Sequence, residues 1–357
     1  MDNIDTLVQQ IKPLDQDVMA AAQARQNILT KPAGSLGRLE QLAIQLAGIT
    51  GEAQPSIPHK VIVTMAGDHG VAAEGVSAYP QEVTPQMVLN FLGGGAAINV
   101  LAGHVGARVV IVDMGVASEL LPHPNLVNKK IGLGTQNIAQ GPAMSRDEAV
   151  AAILAGASVI EAEMEQGLSI VGTGDMGIAN TTPSAAIACA LTGHTPAKIV
   201  GRGTGVDDAG YQRKVAVVQQ ALDINQPDAT DGLDVLAKVG GFEIGGLAGA
   251  ILATAAHGRP VVVDGFISTA AAMLAVSMAP QVRPYLIAAH RSQEQGHHLM
   301  LQWLDKEPLL DIGLRLGEGT GVALAISLVD GACKIMHEMA TFGEAGVAEK
   351  VEPGKAE

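Results

Sequence analysis

Aromatic residues are nearly absent from this chain: Phe, Tyr and Trp together make up 2% of its 357 residues. The core must therefore be built from Ala, Val, Ile, Leu and Met, within a hydrophobic content of 48%. A chain of this length can bury a sizeable core and hold about two domains. Basic residues are outnumbered, 22 Lys and Arg against 36 Asp and Glu, leaving a net charge of −14. That balance argues against a surface made for nucleic acid or an anionic membrane. Any phosphate ligand has to be held by local backbone N–H groups and a few cations. There are two cysteines, Cys189 and Cys333, both in apolar helical text. With no signal-peptide pattern at the start, they read as buried thiols of a reducing compartment. The uncharged stretches 176–193 and 265–282 reach membrane-span length, but they are rich in Ala, Ser, Thr and Gly and carry prolines. They read as buried helices and loops, and no membrane segment is expected. No Gly-x-Ser-x-Gly elbow is present. His69, His290, His297 and His298 lack the i,i+4 partner of a zinc-binding helix, and no metal site is expected.

Glycine is plentiful, at 43 residues, and it stands beside apolar runs. That placement suits close helix–strand packing and loops that bring backbone up to a ligand. The first fifty residues read as helical. One helix runs to about Lys12, a second follows Pro13, and a third, capped by Ser35, carries Leu36, Leu39, Leu42 and Leu46 at helical spacing. From residue 60 the text turns to short β-branched runs. Val61–Met65, Val109–Val112, Leu168–Val171, Val261–Val263 and Tyr285–Ala288 each pass into glycine and polar residues. Alternating with Ala-rich helical text, they predict a mainly parallel sheet covered on both faces. Asp68, Asp113, Asp175, Asp264 and His290 each fall at the C-terminal end of a run, where open α/β sheets bind ligands. Any one Asp is better explained as a cap of the following helix; five such groups together predict a ligand crevice.

Three motifs invite chemistry. Gly172-x-Gly174-x-x-Gly177 follows a strand and resembles a dinucleotide loop. The acid expected about twenty residues on is missing, because Ile199-Val200, read as the next strand, leads into Gly201-Arg202-Gly203-Thr204-Gly205. The first loop fits phosphate or ribose better, with Asn180, Thr181 and Thr182 as donors. Lys214 beyond the second loop is either a phosphate cation or a solvated helix lysine. Gly317-Glu318-Gly319-Thr320-Gly321 sets a carboxylate between glycines at the start of an apolar helix. In an apolar pocket its pKa would rise and it would serve as a proton acceptor; otherwise it is a dipole-favoured helix-start acid.

The segments Lys31–Glu40, Ala66–Val71, Gly174–Thr182, Gly201–Gly205, Gly240–Ile244, Val263–Ile267 and Leu316–Gly321, collinear over nearly the whole chain, together resemble the nicotinate-nucleotide–dimethylbenzimidazole phosphoribosyltransferases. The resemblance implies a doubly wound, mainly parallel (Rossmann-like) α/β domain at 31–292. A small helical domain drawn from both chain ends, 1–30 plus 293–345, and a frayed tail, 346–357, complete it. It implies a cytoplasmic homodimer in cobalamin lower-ligand synthesis that moves phosphoribose from nicotinate mononucleotide to 5,6-dimethylbenzimidazole, with no cofactor. Glu318 matches the family's general base. Asp175, Asn180, Thr181, Lys214, Asp264, Ser292 and the Gly177, Gly203 and Gly265 loops match positions around the nucleotide, and Tyr79, Met87 and Leu316 the base wall. Many relatives carry Glu where this chain has Asp175, which shortens the reach of that carboxylate by a methylene. Two rivals stand beside this reading: a nucleotide-dependent oxidoreductase using the Gly172–Gly177 loop, and a non-catalytic nucleotide-binding protein.

Overall fold

The computed structural model describes residues 3–203 and 205–348. It divides into two compact units, one of residues 1–13 and 58–326, the other of 14–57 and 327–357. In the larger unit six strands form one sheet: β1 (Lys60–Gly67), β2 (Ala107–Gly115), β3 (Leu126–Asn128), β4 (Ile170–Met176), β5 (Val261–Val263) and β6 (Leu286–Ala288). Their order is β3-β2-β1-β4-β5-β6, and every pairing is parallel. The order reverses between β1 and β4, the switch point at which such sheets open a crevice beyond the strand ends.

The strands form because their apolar runs are buried on both sides; β1 and β4 are buried over almost their whole length. Alternate residues of β1 meet different partners. Met65 packs near Gly246 of the helix Phe242–Ala256. Ile62 packs near Gly319, at the start of the helix Thr320–Glu338. Side chains of opposite parity face opposite sides of a sheet, so Phe242–Ala256 and the start of Thr320–Glu338 lie on its two faces. Gly156 and Gly249 remove the side chains that would otherwise hold Phe242–Ala256 off the helix Arg146–Met164.

The smaller unit is helical. Gln16–Ile28 and Arg38–Thr50 pack closely, and a Cβ on Gly48 would lie 2.6 Å from the Met19 side chain. Arg25 Nε donates to Met336 O at 2.6 Å.

Local readings changed at four places. The third helix begins at Arg38 after Gly37 (φ +53°), not at Ser35. The Leu36 N–H is taken by the Glu40 carboxylate, 3.0 Å away, and left-handed Gly34 and Gly37 carry the turn two residues further. Ile199 ends a short helix, Pro196–Ile199, rather than a strand. Unit boundaries also fall elsewhere than at 30/31 and 292/293. The helix Ile4–Gln10 belongs with the sheet unit, through Gln281 Nε2 to Val8 O (3.2 Å) and Tyr285 Oη to Lys12 O (2.7 Å). Residues 293–326 belong there too, since Leu310 runs beside His290 and Gln293 N donates to Leu314 O at 3.0 Å. The tail expected to fray lies, from residue 349 on, outside the described residues.

Two stretches, Val83–His104 and Thr320–Glu338, are long and apolar enough to cross a membrane by length and composition. The first is broken at Gly93–Ala96 into the helices Val83–Leu92 and Ala97–His104. More than half of the second is buried. Cys189 and Cys333 are free and buried, and burial pushes the Cys189 thiol up to about 12.

Candidate active site

The loops beyond β4, β5 and β6 close a cavity of about 460 Å³ with the helix Val83–Leu92 and the turn at 315–318. That size suits a small-molecule ligand. Of the residues singled out in the sequence, Tyr79 and Met87 come from the helix side, and Asp175, Gly177, Asn180 and Thr181 from the end of β4. Gly203, Gly265, Ser292, Leu316 and Glu318 complete that set. Tyr79 and Leu316 remain more than half exposed, at the mouth.

Glu318 sits on a turn built almost wholly of backbone. Gly317, Glu318 and Gly319 all have positive φ, +85°, +64° and +95°. For Glu318 that region costs about 1 kcal/mol or more, so the turn persists only because its surroundings hold it. Glu318 N donates to Asp175 O (3.2 Å), Thr64 Oγ1 to Glu318 O (3.0 Å) and Thr320 Oγ1 to Gly317 O (2.8 Å). The Glu318 carboxylate accepts from Ile98 N at 3.4 Å, at the N-terminus of the helix Ala97–His104. Burial, with the Asp264 charge nearby, lifts its pKa above the usual carboxylate value, and the Ile98 N–H opposes this. A buried carboxylate of raised pKa opening into a partly apolar cavity is a stronger proton acceptor than a free one.

The glycine fingerprint proves to serve this turn. Gly172 and Gly174 lie inside β4, where a side chain on Gly174 would strike Glu318 O and one on Gly172 would strike Val322. They let the turn and its helix lie against the strand, and they do not form a dinucleotide loop. Gly177 does reach the cavity; a side chain there would strike Gly67 O.

A second end of the cavity is polar. Asn180 Nδ2 donates to Asp175 Oδ2 at 2.9 Å, while Asp175 Oδ1 has no partner among the described residues. Burial, together with the charges of Asp264, Glu243 and Glu318, drives the Asp175 pKa well above the usual range, against the Asn180 hydrogen bond. Lys214 does not line the cavity. It is 1% exposed and donates from Nζ to Thr181 Oγ1 at 2.8 Å, behind the Thr181 and Gly203 wall. Burial lowers its pKa to about 8, with Glu294 opposing. Ser292 is set by His297, whose Nδ1 accepts from Ser292 N at 2.8 Å. The remaining ring proton therefore sits on Nε2, which donates to Thr269 Oγ1 at 2.9 Å. Burial pushes His297 down to about 3, which keeps the ring neutral.

Asp264, also expected at the substrate, is turned away from the cavity and 1% exposed. Asp68 and Asp113 stand behind the wall as braces. Asp68 Oδ2 accepts from Ala117 N (2.8 Å), and Asp113 pairs with Lys130 at 3.1 Å. Buried His69 pairs with Glu243 at 2.9 Å; burial lowers its pKa, and the Glu243 carboxylate more than reverses this. The sequence reading missed Glu294 and Arg315 on the wall. Their one signal was adjacency, two residues after Ser292 and one before Leu316.

A family model described as phosphoribosyltransferase matches residues 11–347, so the parallel sheet and its rim cavity are those of a phosphoribosyltransferase. The nicotinate-nucleotide–dimethylbenzimidazole phosphoribosyltransferase of Roseiflexus sp. (strain RS-1) is 59% identical over 352 residues, 99% of this chain and 100% of that protein. Its namesake from Chloroflexus aurantiacus (strain ATCC 29366 / DSM 635 / J-10-fl) is 56% identical, covering 98% of this chain and 100% of that protein. The crystal structure of CobT from Thermus thermophilus superposes with a TM-score of 0.91 at 48% identity, over 94% of this chain and 100% of that one. The chain is an enzyme of the nicotinate-nucleotide–dimethylbenzimidazole phosphoribosyltransferase family.

Proposed function

We propose that this enzyme transfers the phosphoribosyl group of nicotinate mononucleotide to 5,6-dimethylbenzimidazole, giving α-ribazole 5′-phosphate and nicotinate for the cobalamin lower ligand. The observation that carries this reading is the Glu318 carboxylate, presented by a left-handed turn at the cavity wall. Nicotinate bound to ribose is a pyridinium, and breaking its bond to the anomeric carbon neutralises the ring nitrogen. One benzimidazole nitrogen attacks that carbon from the opposite face, which inverts β to α. Glu318 accepts the proton from the other nitrogen. General-base help is worth roughly 10²–10⁴-fold; positioning and electrostatics supply the rest.

Val83, Met87, Ile178 and Leu316 give the planar base its apolar wall. Thr181 with Lys214 behind it, Ser292 and the backbone at Gly177, Gly203 and Gly265 receive phosphate and ribose. Asp175, with its unpartnered oxygen at the wall, holds the nucleotide as a hydrogen-bonding group. The enzyme works in the cytoplasm as a homodimer whose partner completes the site. An apolar groove with exposed Leu89 and Leu121 (60% and 85%) supports a second copy as its cover.

The test is direct. Purified protein in EDTA, given nicotinate mononucleotide and dimethylbenzimidazole, releases nicotinate, and Glu318→Ala loses at least tenfold in turnover while remaining folded. No release refutes the transfer; a fully active Glu318→Ala refutes the base. Sedimentation checks the dimer, which Leu121→Asp dissociates.

A further inference from the structure

The turn that carries Glu318 has no side chains of its own to anchor it, since both neighbours are glycines in the left-handed region. Its anchorage comes from elsewhere in the chain, and one anchor among the described residues is a carboxylate. Asp264 follows β5, and its own N–H donates to Thr173 Oγ1 at 3.2 Å. From there its Oδ2 accepts from Gly319 N and its Oδ1 from Val322 N, both at 3.1 Å. The carboxylate thus caps the helix Thr320–Glu338, which lies more than fifty residues further along, and ties the last residue of the turn to the helix's first turn. Such caps are charge-assisted and sit where the helix dipole favours an anion. His290 Nε2 stands 3.5 Å from Oδ1 on the far side. Gly321 is bare at that point; a side chain there would strike the His290 ring and lie 2.8 Å from Asp264 Oδ1.

We propose that Asp264 is a positioning residue of the reaction, its carboxylate fixing the 317–319 turn so that Glu318 meets the proton of the azole. The proposal rests on the reading of Glu318 as the general base. The charged groups in play are Asp175 at the end of β4, Asp264 after β5, His290 after β6 and Glu318 itself. Ile98 N–H faces Glu318 from the helix Ala97–His104. Asp264 acts on Glu318 in two ways: through the backbone it holds the carboxylate in place, and by its charge it disfavours the ionised form.

Asp264→Asn keeps the shape of the side chain, removes the charge and sets an amide N–H against one of the two backbone donors. Its kcat for nicotinate release falls at least tenfold, KM for nicotinate mononucleotide stays within threefold, and the acid limb of the pH–rate profile moves to lower pH. If Asp264 works through Glu318, the double variant Asp264→Asn/Glu318→Ala turns over no more slowly than Glu318→Ala alone, because groups that act as a unit are not additive. A kcat for Asp264→Asn within twofold of the unmodified enzyme overturns the proposal. So does a loss that adds in full to that of Glu318→Ala with the acid limb unmoved, the mark of a merely structural residue. If Asp264→Asn does not fold, Asp264→Ser, which also removes the charge and keeps an oxygen that can accept a backbone N–H, takes its place in the cycle under the same criteria. A Glu318→Ala enzyme that keeps full activity sinks the general-base reading instead, and is told apart by that single variant.

Discussion

Replacing Gly174 by Ala adds one methyl group where β4 meets the turn that carries Glu318. The new Cβ would strike Glu318 O and lie 2.6 Å from Glu318 C and 2.8 Å from Gly319 N. Ordinary contact begins at 3.4 Å, so the turn must retreat by about 1 Å. All three neighbours in this collision are backbone, and no rotamer change relieves it. Overpacking of this kind costs about 1–3 kcal/mol. In a chain of this size that lowers the melting temperature by only about 1–2 °C per kcal/mol. Catalysis suffers more, because a misplacement on the order of 1 Å at a reacting group costs roughly 10²-fold. The expectation is therefore a folded enzyme, a few degrees less stable, whose kcat has fallen about 10- to 100-fold while its KM for nicotinate mononucleotide has changed little. Initial rates of nicotinate release at saturating substrates, with a thermal melt by circular dichroism, give both quantities. A folded Gly174→Ala enzyme with kcat within threefold of the unmodified one would refute the argument that this glycine exists to let the turn approach.

Other expectations can be checked with the same assay. Glu318 must be ionised to accept a proton, and its pKa is raised, so activity falls on the acid side at a pH above the ordinary carboxylate value of 4.5. Lys214 loses its proton near pH 8, so nucleotide binding weakens above that pH; a KM for the nucleotide unchanged across that pH contradicts the Lys214 assignment, and an acid limb at or below 4.5 contradicts that of Glu318. Lys214→Met removes the cation behind Thr181 and the hydrogen bond it gives that hydroxyl while keeping most of its length, and a loss of about 1.5–3 kcal/mol raises KM for the nucleotide roughly 10- to 100-fold. An unchanged KM would remove Lys214 from the site. Gly331 lies inside the helix Thr320–Glu338 with open space where a Cβ would go. Gly331→Ala therefore stabilises the protein by about 0.4–1 kcal/mol with activity unchanged, and a lowered melting temperature would contradict this.

What was legible in the sequence was what local chemistry decides. The apolar runs of β1, β2, β4, β5 and β6 announced themselves by β-branched residues and by the polar groups that follow them. β3 is as short as β5 and β6, but only two of its three residues are apolar and none is fully buried, so it did not stand out. Glu318 was visible because a charged residue between two glycines is unusual beside an apolar helix. The direction of a side chain was not visible. Asp175 and Asp264 occupy equivalent places at strand ends, yet one lines the cavity and the other points back to cap a helix far along the chain. The thought that such an acid caps a helix was right in kind for Asp264, but the helix is not the one that follows it. Lys214 could not be told from a solvated lysine, since its burial depends on the Thr181 and Gly203 wall folding over it. Unit boundaries escaped for the same reason, as they depend on which surfaces meet and not on composition.

The left-handed backbone at Glu318 has a consequence for any attempt to harden this enzyme against heat. A non-glycine residue there carries conformational strain, and its carboxylate is buried beside other acids, so the position stores energy that the fold would release if the residue changed. Glycine at 318 would remove the strain, and glutamine would remove the buried charge; both changes would end proton transfer. A screen that rewards survival alone will therefore be drawn to this position and will return robust, inert proteins. Only a screen that also demands product will leave the strained residue in place.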